Sequence, residues 1–170
     1  MKRTVTFIIT LALLAACLTG CGGSKDKDKF YDDLKKFYPI ADNTRFDLFT
    51  VLAEESAYMK AYGVNGEGHT QEIALYAAQH ASGVDFNELG DAIDEMSALC
   101  DQLRGNKWGQ ENAQEIILDA DLANTALQNM ASCSMNPTGT GEEFQAKYGD
   151  FYDVAGELLQ EINAFLAKQK

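Results

Sequence analysis

The stretch from Phe144 to Phe165 narrows the fold more than any other part of the chain. Its apolar residues Phe144, Tyr148, Phe151, Ala155, Leu158, Ile162 and Phe165 follow steps of four and three in strict alternation. Only a helix brings residues so spaced onto one face. The alternation also suits helices packed side by side at a shallow left-handed crossing. Thr140 and Glu143 stand in the capping-box relation just ahead of the stripe, so the helix is expected to open there.

Upstream segments repeat the pattern. Residues 30–63 carry Phe30, Leu34, Phe37, Phe46, Phe49, Leu52, Ala53, Met59 and Tyr62 at helical spacing. Pro39 lacks a backbone donor and crowds the preceding turn, which predicts a break near Tyr38 and a second helix from about Ile40 to Tyr62. Gly63, Gly66 and Gly68 mark an exit loop. A short helical pattern runs from Thr70 to Ser82, and Gly83 interrupts it. A new start follows, with Asp85 as cap, Glu88 returning to its backbone and Val84 stapling onto Leu89. From there Phe86, Leu89, Ile93, Met96, Cys100 and Leu103 share a face up to Arg104-Gly105-Asn106-Lys107. Gln110 to about Cys133 places Ile116, Ala120, Ala123, Leu127 and Met130 together, and Asn136-Pro137 ends the run. No segment alternates as a strand would. Each stripe spans only a few heptads between glycine or proline, which favours an intramolecular bundle over a long coiled coil. The expected fold is all-α: a bundle of about four main helices, with one or two shorter ones, over residues 30–170.

The first residues have a different character. Lys2 and Arg3 precede an apolar run from Val5 to Leu18, and Leu18-Thr19-Gly20-Cys21 closes it. As a helix that run would rise about 21 Å, short of the roughly 30 Å hydrocarbon core, so an export signal fits better than a membrane span. Ala12, Ala15 and Ala16 would supply only a weak site for ordinary cleavage without lipidation. The arrangement resembles the lipobox of bacterial lipoprotein precursors over residues 1–21. The resemblance implies cleavage between Gly20 and Cys21 and a diacylglyceryl thioether on Cys21, with acyl chains of the palmitate kind. Residues 1–20 are then a signal peptide. Residues 21–29, Cys21-Gly22-Gly23-Ser24 followed by alternating lysine and aspartate, are expected to form a flexible tether. Two or more acyl chains anchor stably where one does not, placing the protein on the outer face of the bacterial cell membrane.

Removing residues 1–20 leaves 12 basic against 26 acidic residues, a formal charge of −14 over 150 residues. That length suits one domain. Such acidity repels phosphate backbones, which excludes nucleic acid as a partner, and it gains nothing from anionic head groups. The partners expected are the membrane, through the lipid on Cys21, and an envelope protein or peptide; the acidity would suit a basic partner, but solubility at an envelope surface is the commoner reason for it.

Candidate chemistry is sparse. The two histidines are His69 and His80, and His69 with Glu72 could share a helix face. Gly68-His69-Thr70-Gln71-Glu72 approaches the Gly-x-His-x-x-Glu motif of imelysin-like envelope proteins, but Glu67 stands where that motif has glycine. Di-iron bundles need Glu-x-x-His pairs, and Ala77 and Gly66 occupy the glutamate positions. Asp85 to Met96 imitates a calcium loop, with Leu89 and Met96 where ligands belong. Gly-x-Ser-x-Gly is absent, and Thr138-Gly139-Thr140-Gly141 has no lysine to make a phosphate loop. No catalytic, cofactor or metal residue is assigned. The expected function is a non-catalytic binding or interaction module at the cell envelope. The alternative is a small metal- or ligand-binding carrier or enzyme using His69, Glu72 or His80.

Cys100 and Cys133 remain once Cys21 is acylated. A hairpin turning near residue 107 separates them by roughly 28 Å along the axis, whereas a disulfide needs Cα atoms within about 7 Å. Two buried free thiols are therefore expected.

Overall fold

The computed structural model describes residues 2–169, with side chains from Ser24 onward. Its helices are α1 (Lys2–Tyr62), α2 (Thr70–His80), α3 (Phe86–Gly105), α4 (Lys107–Asn112), α5 (Gln114–Met135) and α6 (Gly141–Ala167), with no strand among the described residues. The all-α bundle is thus the observed fold. Four long helices carry it, and α2 and α4 are the short ones.

Two local expectations are corrected. Pro39 does not break α1, which continues to Tyr62. The reason lies in the true core stripe: Phe30, Leu34, Phe37, Ala41, Leu48, Val51, Leu52 and Met59 are buried, with Thr44 and Glu55 filling the intervening inward positions. This stripe keeps its phase through residue 39, and Pro39 itself faces outward. The missing proline bond and ring crowding, about 3 kcal/mol at most sites, are opposed by a face that packs continuously from Phe30 to Met59. Phe46, Phe49 and Tyr62 belong to a different phase and stay exposed. The second correction concerns the tether. Over residues 24–29 the chain is already helical, and the Asn106 amide donates to the Asp26 carbonyl at 2.8 Å, tying this turn to the bundle.

Cross-contacts fix the topology. α3 runs against α1, because Ile40 and Thr44 lie beside Leu89 and Ala92 while Asp26 meets Asn106. α5 runs with α1, since Phe30 meets Gly109 just ahead of it and Glu55 meets Ser134 near its end. α6 runs against α1: the Ser56 hydroxyl donates to the Gly141 carbonyl at 2.9 Å, Arg45 approaches Gly156, and Phe30 packs edge-on against Phe165. The result is an up-down-up-down bundle, with α2 and α3 sharing the first descent and α6 making the second. Both caps stand where expected, although the return bond from Glu88 to the Asp85 amide does not form among the described contacts. Asp85 accepts from the Asn87 and Glu88 amides, and Thr140 and Glu143 form the reciprocal box.

At the upper end the exit loop of α1 is zipped to the α5–α6 loop. The Gly66 amide donates to the Gly139 carbonyl at 2.9 Å, and the Gly139 amide donates to the Glu67 carboxylate. The fit is so close that a Cβ on residue 66 would lie 2.2 Å from the Pro137 carbonyl carbon.

Candidate functional site

The two histidines stand at opposite ends of α2, which keeps them apart. His69 precedes its first turn and donates through Nδ1 to the Asn65 carbonyl at 3.2 Å. His80 is its last residue; it donates to the Tyr76 carbonyl at 2.8 Å and stacks on the Tyr76 ring. Eleven residues of helical rise separate them by about 16 Å, so they cannot enter one ligand shell. Glu72 lies exposed in the first turn. Among the described residues no three potential ligands converge on a metal position. Gly20 and Cys21 fall outside the residues whose side chains are described. No helix among the described residues is long and apolar enough to cross a membrane.

The thiols are buried and unpaired. Cys100 donates to the Ala120 carbonyl at 3.5 Å, which sets it level with that residue. Thirteen residues further along α5, Cys133 is about 20 Å away. The hairpin is offset less than expected because α4 takes up the corner. Burial, with the Asp121 charge beside it, pushes the Cys100 thiol up to about 12. Burial likewise raises Cys133. Neither has the electropositive, accessible setting of a reactive cysteine.

Sequence reasoning missed an ionisable group in the core. Glu55 is 1% exposed. Its Oε1 accepts from the Ser134 hydroxyl at 2.6 Å, and its Oε2 has no partner. Burial raises its carboxyl to about 7, against the lowering effect of the Ser134 bond. Leu48, Leu52, Glu55 and Met59 form a single helical face, and that spacing was the available signal. The site is closed, so Glu55 reaches no substrate.

The open feature lies elsewhere. α5 and α6 pack antiparallel, and along their outer junction runs a groove of about 620 Å³. Leu122, Ala126, Phe151, Val154 and Leu158 form its apolar surface, and Glu157 and Glu161 its acidic rim. Leu122 is 45% and Val154 47% exposed, and Leu118, one turn before Leu122, is 56%. This is apolar area that folding leaves in water. Two stripe residues, Phe151 and Leu158, lie at this edge, while the core position at the second of these sites falls to Leu159. The sequence signal for the groove was Leu118 and Leu122, apolar but outside the α5 core stripe.

Further down, between α5 and α6, the surface turns polar, with Glu111, Glu115, Asp119 and Glu161 around a single base, Lys168. Burial first, then the charges of Glu161 and Glu115, raises the Asp119 carboxyl above the usual range. No protein-family model, curated protein or solved structure matches the chain.

Proposed function

We propose that the protein is a lipid-anchored, non-catalytic binding module on the outer face of a bacterial cell membrane. Its anchor is an acylated Cys21, and it presents the α5–α6 groove to an envelope partner. The observation that carries the binding half is the groove itself: a continuous apolar strip on a fold whose core is already closed. Phe46, Tyr62, Leu75 and Met135 are exposed elsewhere, but here Leu122 and Val154 flank a concave strip with carboxylates at its edge, the form an interaction surface takes. The anchoring half rests on the Leu18-Thr19-Gly20-Cys21 sequence.

Each half has its own measurement. In cells, Cys21→Ser is expected to release the protein from membranes or to leave it as unprocessed precursor. Processing and membrane association like the parent's would remove the anchor from this reading. For the groove, the chain from residue 21 with Cys21→Ser contains the whole described core, which runs from Phe30 to Ile162, and needs no detergent. The neutral apolar dye Nile red should bind it, and Leu122→Asp with Val154→Asp should abolish the signal without lowering helicity. Dye binding unchanged by that pair of substitutions would refute the groove as the binding surface.

A further inference from the structure

The chemistry of the groove narrows its occupant. We propose that the groove docks a basic amphipathic helix of a partner polypeptide, apolar face on Ala126, Phe151 and Leu158, cationic residues against Glu157 and Glu161. The proposal rests on the binding reading above and gives it a partner class.

Shape selects a helix. Two antiparallel helices leave a valley between their ridges, and the α6 residues lining it run from Phe151 to Glu161. That is about 15 Å, or nearly three turns. A helix of similar length laid there reads the valley with residues at i, i+3, i+4 and i+7. A strand would need an open sheet edge, and the described residues contain no sheet.

Charge selects a basic one. No lysine or arginine lines the groove, and its carboxylates continue downward into Glu111, Glu115 and Asp119, which outnumber the single base there, Lys168. Asp119 is already crowded by Glu115 and Glu161, so a cation seated there relieves repulsion that the isolated fold endures. A second copy of this chain would set acidic rim against acidic rim, and an anionic bilayer would do the same. Both are disfavoured by the complementarity that steers specific partners together.

The test uses the chain from residue 21 with Cys21→Ser and a labelled fourteen-residue peptide of leucine and lysine, leucines at i, i+3, i+4 and i+7. A matched peptide carrying glutamate for lysine is the control. Anisotropy should show the lysine peptide binding at least about tenfold more tightly than the control. Leu122→Asp, and separately Glu157→Lys with Glu161→Lys, should each weaken it about tenfold. Asp94→Lys with Glu95→Lys, exposed on α3 and outside the groove lining, should not.

Equal binding of the two peptides, or equal loss from the α3 pair, overturns the proposal in favour of diffuse charge attraction. A concentration-dependent dimer abolished by Leu122→Asp overturns it in favour of a second copy. Failure of the peptide with Nile red still bound at the groove sinks the basic helix and spares the groove. Failure of both sinks the binding reading as well.

Discussion

Raising the pH from 5 to 8 is expected to destabilise the fold by about 2–3 kcal/mol through Glu55 alone. The ordinary value of its carboxyl is 4.5, and burial holds it near 7 in the folded chain. Below 4.5 both folded and unfolded states keep the proton. Between 4.5 and 7 only the folded state does, so stability falls as pH rises through that window. Above 7 both are ionised and the loss levels off. Ser134 and Cys133 face Glu55 from α5, and Tyr148 and Lys147 stand on α6. The Ser134 hydroxyl is the one hydrogen-bond donor it has. Glu55→Gln keeps the shape and removes the charge. Urea unfolding of the two proteins at several pH values should show the parent losing stability between pH 5 and 8 relative to Glu55→Gln. Identical pH profiles would mean that the carboxylate is solvated or paired in solution. A gain at pH 8 also implies that the upper end of the bundle, where α1, α5 and α6 meet, opens more readily as Glu55 ionises.

This residue also shows what the sequence could and could not reveal. A glutamate on a helix is ordinarily read as solvent-facing, and only the phase of Leu48, Leu52 and Met59 places it inside. That phase was hidden by Pro39. Once a break is assumed there, Phe46, Phe49 and Tyr62 become the natural stripe for the following segment, and all three are exposed. The caps were legible because Asp85, Thr140 and Glu143 act on backbone groups two or three residues away. The zipper of Gly66 onto Gly139 was not, because it joins loops 73 residues apart with no side chain to betray it. The groove is an intermediate case. Leu118 and Leu122 were visible as apolar residues out of phase, but a second apolar stripe equally suits a helix buried on two sides. Only the packing of α5 and α6 shows which side is left open.

The lower end of the bundle should respond most strongly to Phe30→Ala, with a loss of about 3–5 kcal/mol. Phe30 is fully buried where α1, α4 and α6 converge, its ring against Tyr31, Trp108 and Phe165. Gly109 closes the pocket so tightly that a Cβ there would stand 2.6 Å from the Phe30 ring. The contact makes the two positions non-additive in a direction that can be stated beforehand. In the parent, Gly109→Ala forces ring and helix apart and should cost about 1–3 kcal/mol. In the Phe30→Ala background the same methyl enters the space left by the ring. It also gives a helical position alanine in place of glycine, a change worth up to about 1 kcal/mol. There it should stabilise. A double-mutant cycle by urea unfolding measures the difference directly. Additive effects would mean that Trp108 or Phe165 collapses into the cavity, or that α4 is not seated on α1. The second outcome has a visible signature: it would free the Asn106 amide from the Asp26 carbonyl and release the turn of α1 around Asp26 from the bundle.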